Sequence, residues 1–355
     1  MTTTTRLSLA LTTGLLLLAG CATVPTSSQA PAITEPEIRA TIATLSSDAF
    51  EGRMAGTAGE AKTIAYIADR FRVAGLTSGG RGPIPYLDPF AIVAKPAPKP
   101  NPNTPVVQQS FVAHMARLGN FTSHNVIGVA RGGHPDGRAV VLMAHWDHLG
   151  RCAPKAADTI CNGAIDNASG VAAIIAVADK VAHMGLDRDV WFVATSAEEW
   201  GLLGARAFAD KPPLPLASIV AGFNLDTIAI APAGAKVAMV APPHSRLEAL
   251  VKSSAMALGR AWDGDREAEN YLRRQDGWVL AERGVPMVMA GGSFSDMALV
   301  KRFIADGYHA PDDELRTDTD LGGAVDDANL HLELVRRAAS RTFSPPAIKT
   351  RLLGD

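Results

Sequence analysis

The chain has 355 residues, of which 47% are hydrophobic and 20% are charged. It is therefore long for one domain, although an α/β enzyme can reach this length, and it can bury a sizeable core. Lysine and arginine number 34 against 36 aspartates and glutamates, so the formal net charge is -2. This balance gives no basis for a nucleic-acid partner, which would require a basic surface patch.

The first 21 residues predict a targeting segment. Arg6 supplies a positive charge, and the apolar run 7–18 is too short to span a bilayer. The run Leu-Ala-Gly-Cys that ends at Cys21 resembles a bacterial lipobox, which implies cleavage before Cys21 and lipidation of its thiol. The alternative is an ordinary signal peptide with an incidental cysteine. Residues 22–35, rich in Thr, Ser, Ala and Pro, predict a flexible tether.

The residue after the lipobox bears on location. Ala22 stands there instead of an aspartate, which resembles the default outer-membrane sorting of Gram-negative lipoproteins. We therefore expect an exported bacterial lipoprotein at the periplasmic face of the outer membrane, attached to the membrane through its N-terminal lipid anchor.

Two cysteines remain beyond the targeting segment, Cys152 and Cys161. An exported protein meets an oxidising compartment, so a local disulfide between them is the first expectation. Two free thiols are the alternative. Zinc ligation is a third option, although the spacing fits no common Cys-x-x-Cys zinc pattern.

Hydrophobic periodicity predicts the elements in chain order. Residues 35–75 predict two helices joined by a turn, and the proline-rich stretch 83–105 predicts an irregular surface excursion. Two polar segments, 108–115 and 125–130, predict a pair of strands. Further strands are predicted from apolar runs at 139–144, 190–195, 219–225 and 285–290. Further helices are predicted at 170–184, 204–209, 247–258 and 328–339.

Strands that alternate with helices predict an α/β fold with a central, mostly parallel mixed sheet flanked by helices. There is no internal repeat and no second apolar block that would demand another domain. We therefore expect a single domain over residues 36–345, followed by a C-terminal tail, 346–355.

Histidine and acidic residues follow three of the predicted strands. His145 and Asp147 follow the first apolar run, Glu198 and Glu199 follow the next, and Asp226 follows the third. Open α/β sheets place their sites at the carboxyl ends of the strands, so these side chains are expected to lie together. An imidazole nitrogen with carboxylate oxygens is a ligand set that catalytic zinc uses.

Two further motifs are Asp166-Asn-Ala-Ser-Gly170 and Tyr308-His309-Ala-Pro-Asp312. Together with segment 45–53, the motifs resemble in their order the M28 family of co-catalytic zinc aminopeptidases, over about residues 35–342. The resemblance implies a single zinc-peptidase domain that holds two Zn²⁺ ions. It implies that one ion is bound by His145, Asp166 and Asp226, and the other by Asp166, Glu199 and His309.

The resemblance also implies a reaction. A hydroxide that bridges the two metals would attack the first peptide bond of peptides with free amino termini, with Glu198 as general base. Adjacent glutamates on regular backbone face different ways, so Glu199 can bind metal while Glu198 faces the water. Three carboxylates and one hydroxide balance two Zn²⁺ ions, which makes a partly buried cluster tolerable.

Three neighbouring residues have less defined roles. We expect the Asp147 carboxylate to orient the His145 ring through its second nitrogen. His148 is expected to be structural. Tyr308 either donates a hydrogen bond to the developing oxyanion or simply packs beside its loop.

Other interpretations stay open. Many M28 relatives carry Ser-Asp-His where this chain has Gln275-Asp276-Gly277, which leaves the substrate-side contacts open. A glutaminyl cyclase shares the fold, but the animal-type enzymes lack an Asp-Asn-Ala-Ser-Gly run. A non-catalytic binding domain of this fold typically loses ligands, and this chain keeps them. Manganese or cobalt also suits such ligands.

Overall fold

The apolar runs of the sequence become the central strands of one mixed sheet. The computed structural model describes residues 1–2, 32–93, 106–152, 157–243 and 245–345, and the helices and strands found there belong to the compact unit Ala32–Asp355. The strands in chain order are β1 (Thr77–Ser78), β2 (Leu87–Ile92), β3 (Phe121–Ala130), β4 (Ala139–His145), β5 (Asp189–Thr195), β6 (Ile219–Asn224), β7 (Ala238–Val240) and β8 (Met287–Gly291).

The sheet has its parallel strands in the middle. The order is β1-β3-β5-β4-β6-β8-β7, and β2 pairs with a second stretch of β3. Strands β5, β4, β6 and β8 run parallel, whereas β3 and β7 are antiparallel to their neighbours. Every residue of β4 is buried. The predicted mostly parallel mixed sheet is confirmed.

Helices supply the crossovers that parallel strands require. In chain order they are α1 (Glu35–Leu45), α2 (Ala58–Val73), α3 (Val106–Leu118), α4 (Ser169–Val181), α5 (Leu203–Asp210), α6 (Glu248–Ala257), α7 (Asp276–Ala281), α8 (Met297–Asp306) and α9 (Gly322–Ala338).

The predicted helix pair at 35–75 and the four later helices are confirmed, with shifted bounds. Helix α9 begins earlier than predicted, at Gly322. Helices α5 and α7 share an apolar cluster with Val141 and Met143 of β4. Helices α4 and α9 pack against each other and contact central strands.

The prediction of a strand at 108–115 is wrong, because this segment lies in α3. Phe111, Met115 and Leu118 recur at helical spacing and pack into one apolar cluster together with Met54 and Trp200. Burial of this face decides the conformation, although the polar residues between these positions resemble a strand pattern.

The prediction of an irregular excursion at 83–105 is wrong in part. Strand β2 lies inside it and pairs with β3 from Leu87 to Ile92. Pro89 is compatible with β2 because this strand has only one partner, β3, among the described strands. Residues 94–105 lie outside the described part of the chain.

The end of the predicted tether 22–35 is ordered. Ile33 is buried, and its main chain exchanges two hydrogen bonds with the side chain of Asn329 on α9. The Thr34 N–H donates to Glu37 at 2.7 Å, and α1 then begins at Glu35. Cys21, residues 22–31 and the tail 346–355 lie outside the described residues.

A buried arginine joins the N-terminal segment to the sheet. Arg53 is 0% exposed, and it follows Glu51 and Gly52 in left-handed backbone. Its guanidinium donates to four main-chain carbonyls, those of Leu45, Trp146, Asn162 and Gly163, at 2.6–2.9 Å. Burial lowers the pKa of Arg53 to about 10, and nearby carboxylates oppose that shift, so the group is charged at neutral pH.

We predict that Arg53→Met destabilises the fold, because it removes a buried charged donor from these four carbonyls, of which that of Gly163 keeps a hydrogen bond from the Ala168 N–H at 3.2 Å. The expected loss is on the order of 3–5 kcal/mol in the free energy of unfolding, the range for removing one partner of a buried charged network. Urea unfolding checks it. Arg72→Met is the control, since Arg72 is exposed and its ion pair is with Asp69, which is also exposed. Equal stability of the two variants would contradict the prediction.

Candidate metal centre and active site

Three adjacent parallel strands bring the predicted ligands together. His145 is the last residue of β4, Glu198 and Glu199 follow the end of β5, and Asp226 follows the end of β6. Strand β4 lies between β5 and β6, so the three carboxyl ends are neighbours. The structure thus brings these four side chains together at the carboxyl ends of the strands, where they were predicted to meet.

The first group of side chains surrounds His145. Its Nε2 lies 3.3 Å from Asp166 Oδ1 and 3.5 Å from Asp226 Oδ1. Its Nδ1 donates to the main-chain oxygen of Asp147 at 3.1 Å. Because that oxygen can only accept, the neutral ring carries its proton on Nδ1 and presents the Nε2 lone pair to the carboxylates.

The second group surrounds His309. Its Nε2 lies 3.0 Å from Glu199 Oε2 and 3.4 Å from Asp166 Oδ2. His309 has positive φ, 57°, and its side chain is 33% exposed, so this group is more open than that of His145, which is 2% exposed.

Asp166 belongs to both groups, one carboxylate oxygen to each. Its position is fixed by the main chain, since Asp313 accepts hydrogen bonds from the N–H groups of Ile165 and Asp166 at 2.8 and 2.9 Å. The peptide bond between Asp166 and Asn167 is cis. The Asn167 side chain bonds Gly170 at the start of α4 and Leu225 at the end of β6.

His148 lies closer to this centre than the sequence analysis predicts. It is fully buried, and its Nδ1 lies 2.8 Å from Glu199 Oε1 and 3.8 Å from Asp166 Oδ2. His148, Asp166 and Glu199 together could hold a metal ion. His148 and His309 therefore face the two oxygens of Glu199, one each. The signal in the sequence was its place directly after Asp147.

Asp147 acts differently from the prediction. Its carboxylate lies 3.9 Å from His145 Nδ1, beyond hydrogen-bond distance, and its Oδ1 accepts from the N–H of Glu198 at 3.0 Å. Strand β4 ends at His145, so the alternation of side chains that supported the prediction does not continue to Asp147. Asp147 thus holds the loop that carries Glu198. Burial raises the pKa of Asp147 to about 8.

The two neighbouring glutamates have opposite electrostatic environments. Burial raises the pKa of Glu198 well above its usual range, and the carboxylates of Glu199, Asp276 and Asp226 add to the shift against the opposing His145. Burial also raises the pKa of Glu199, but the imidazoles of His309 and His148 outweigh it and lower the value to about 2. Glu198 therefore suits proton transfer, and Glu199 suits permanent negative charge.

Tyr308 packs directly on the second group. Its ring stacks on His309 with 3.7 Å between centroids, and its hydroxyl accepts from the Arg274 guanidinium at 3.4 Å. Burial raises the pKa of Tyr308, so the phenol keeps its proton. Its hydrogen bond to a developing oxyanion stays a prediction.

The triplet Gln275-Asp276-Gly277 begins α7. The Gln275 side chain accepts from the N–H of Gly277 at 2.7 Å, and Asp276 accepts from the Thr195 hydroxyl. A Cβ at Gly277 would lie 2.7 Å from Gln275 Oε1 and 3.1 Å from the Asn224 Cβ. Gly277, which stands where the similar Ser-Asp-His motif has its histidine, thus lies at a tightly packed helix start.

The donor set fits zinc. Each group combines imidazole nitrogen with carboxylate oxygens, as zinc sites do. Within the described residues, the buried His309 Nε2 makes no hydrogen bond although Glu199 Oε2 lies 3.0 Å away, and His148 Nδ1 and Glu199 Oε1, which lie 2.8 Å apart, likewise lack hydrogen-bond geometry. Polar atoms that are buried, close together and unbonded are explained by a cation that they share.

Cys152 and Cys161 are joined by a disulfide, with 5.7 Å between their Cα atoms. Both are buried beside Met54, Phe111 and Leu149, and Cys161 pairs with the main chain of Gly150. The disulfide therefore closes the loop between β4 and Asp166.

Comparison with known proteins assigns the family. The sequence profile of peptidase family M28 matches residues 125–333, more than half of the chain. The chain belongs to peptidase family M28. Aminopeptidase YwaD of Bacillus subtilis (strain 168) is 32% identical over 125 residues, which are 34% of this chain and 25% of that protein. The matched part thus spans about a quarter of this curated relative.

Solved structures share the fold. A zinc aminopeptidase from Bacillus subtilis, BSAP, has a TM-score of 0.61 at 18% identity, and the alignment covers 86% of this chain and 95% of that one. A glutaminyl cyclase from Porphyromonas gingivalis has a TM-score of 0.57 at 17% identity, covering 86% and 97%. At these identities the likeness concerns the fold alone.

We predict that Asp166→Ala removes both metals, because the one carboxylate serves both groups. Asp226→Ala should remove only the metal beside His145. Zinc per chain, measured by plasma emission spectroscopy after dialysis, distinguishes the two. Asp312→Ala is the control, since this carboxylate is in the same motif as His309 but is 74% exposed. Loss of a single zinc from Asp166→Ala would mark Asp166 as a ligand of one ion.

Proposed function

We propose that this protein is a two-zinc aminopeptidase that hydrolyses peptides at their free amino terminus. One observation carries the proposal: the two oxygens of Asp166 face different histidines, His145 at 3.3 Å and His309 at 3.4 Å. A carboxylate in this position suits two cations that lie side by side, because it neutralises part of the charge of both.

The ligand sets follow from the two groups. His145, Asp166 and Asp226 would hold one zinc, and Asp166, Glu199 and His309 the other. His148 then acts as the partner that orients Glu199 through its other oxygen. When bound, the two ions would act as Lewis acids toward water and toward the scissile carbonyl group.

Glu198 is the group that moves protons. Its side chain lines the same pocket as His145, Asp166 and Asp226. A carboxylate there accepts a proton at Oε from the attacking water and returns it to the leaving amine. Its raised pKa favours this exchange, because the protonated form is not strongly disfavoured near neutral pH. Asp147 positions Glu198 through its main-chain N–H.

Two other functions are tested against this one. A glutaminyl cyclase shares the fold, and it would turn over glutaminyl peptides instead of aminoacyl-anilides. A binding domain would turn over neither. Assays of both substrates with and without chelator separate the three, and the aminopeptidase predicts chelator-sensitive hydrolysis of the anilides.

We predict that Glu198→Gln keeps two zincs and loses activity, while Glu199→Gln loses zinc. The first change removes a proton acceptor, for which about 10²–10⁴-fold loss of rate is typical. The second replaces a ligand carboxylate by a neutral amide. Bound zinc and hydrolysis rate are measured for each variant.

Added zinc gives the matching control. Excess zinc should partly restore the Glu199→Gln variant and leave the Glu198→Gln variant inactive. If Glu198→Gln loses metal while Glu199→Gln retains it, the two roles are reversed.

We also propose that the protein is exported and anchored to the membrane through a lipid on Cys21, facing the periplasm from the outer membrane. The disulfide between Cys152 and Cys161 supports an oxidising compartment. Among the described helices, none combines the length and the apolar character needed to cross a membrane.

We predict that Cys21→Ser releases the protein from the membrane fraction, because the thiol is the acceptor of the lipid. Fractionation with immunoblotting measures it, and Cys152→Ser is the control that keeps Cys21. A Cys21→Ser protein that stays membrane-bound and is processed as before would contradict the lipid anchor.

A further inference from the structure

We propose that Arg274 selects substrates that carry a carboxylate group close to the peptide bond that is cleaved. This inference rests on the proposed peptidase function and adds a substrate class to it. The carboxylate can come from an acidic N-terminal side chain or from the C-terminus of a short peptide, and the experiment below separates these sources.

Arg274 lies in the pocket that contains the metal centre. The residues that line this pocket include His145, Asp166, Glu198 and Asp226. Its other lining residues include an apolar set: Ile230, Met289, Phe294, Val300, Phe303 and Ile304. Among the described residues that line the pocket, Arg274 is the only lysine or arginine. A substrate side chain would thus meet apolar walls and one fixed positive charge.

Aromatic side chains hold the Arg274 guanidinium in place. It lies over the ring of Tyr271 at 5.4 Å and over that of Tyr308 at 5.9 Å, and it donates to the Tyr308 hydroxyl at 3.4 Å. Tyr308 in turn stacks on His309. The guanidinium is therefore oriented and only one side chain away from a proposed zinc ligand.

No carboxylate of the described residues pairs with Arg274, although many other arginines of this protein have such a partner. Arg260, for example, pairs with Asp327, and Arg266 pairs with Glu269 close to Arg274 in the chain. Arg274 is exposed and lines the pocket, so its N–H groups are available to a ligand.

A carboxylate is the ligand that this arrangement fits best. A guanidinium donates two parallel hydrogen bonds to a planar carboxylate, and this charge-assisted pair is stronger than a hydrogen bond between neutral groups. The same charge disfavours lysine or arginine at the substrate position, since like charges would be brought together. Apolar substrate side chains would pack against the apolar residues of the pocket without contacting Arg274.

The experiment compares substrates that differ by one charge. Zinc-loaded protein is assayed with glutamyl- and glutaminyl-anilide, and with Leu-Gly and its C-terminal amide. The variants are Arg274→Gln and Arg274→Lys. Arg273→Gln is the matched control, because the neighbouring guanidinium lies over Trp278 and does not line the pocket.

We expect Arg274→Gln to lower kcat/KM about 10- to 100-fold for a carboxylate-bearing substrate, the range for losing a charge-assisted hydrogen bond. The neutral partner should change less than about threefold, and Arg274→Lys should retain part of the discrimination. Loss confined to glutamyl-anilide assigns the side-chain carboxylate, and loss confined to Leu-Gly assigns the C-terminal one.

Equal loss on charged and neutral substrates would overturn the proposal and leave Arg274 as a support for Tyr308. A failure of the proposed peptidase function can be distinguished from a failure of the proposed charge preference. If the wild-type protein hydrolyses none of the compounds, calorimetric titration of the same pairs into zinc-loaded Glu198→Gln protein still tests the charge preference. Indistinguishable affinity for the two members of each pair, with and without Arg274→Gln, would refute it.

Discussion

Buried negative charge at the carboxyl ends of β5, β4 and β6 is the constraint on which the site depends. Like charges in a low-dielectric region repel, and desolvation of each carboxylate adds to the cost. The carboxylates gathered there are Asp147, Asp166, Glu198, Glu199, Asp226, Asp276 and Asp313. The two divalent cations that we propose for this site would make such a cluster tolerable, which would link metal binding to the stability of the carboxyl ends of these strands.

The surrounding structure assigns a separate task to each carboxylate. Asp313 binds the main chain of Asp166, and Asp147 binds that of Glu198, so these two act as positioning groups. Arg53 adds the buried cation that joins the N-terminal segment to the loops after β4. The oxygens of Asp166 and Glu199 face ring nitrogens of histidines instead of main-chain N–H groups, so these side chains together could hold a metal ion.

The sequence predicted the strands that carry the ligands, because apolar runs followed by acidic residues are a local pattern. It did not predict α3, where contacts with Trp200 decide between helix and strand. The roles of His148 and Asp313 could not be predicted from the sequence either, because each depends on a partner far along the chain. His148 lies against Glu199, and Asp313 binds the main chain of Asp166. The Asp147 prediction extended strand alternation past the end of β4.

Crystallography of the zinc-loaded protein, with anomalous data collected at the zinc edge, would locate the bound metal ions and their ligands. We expect two anomalous peaks that share Asp166, one next to His145 and Asp226 and the other next to Glu199 and His309. A single peak would contradict the two-metal centre. A second peak bound by His148 in place of His309 would contradict the ligand assignment while leaving the bridging role of Asp166 intact.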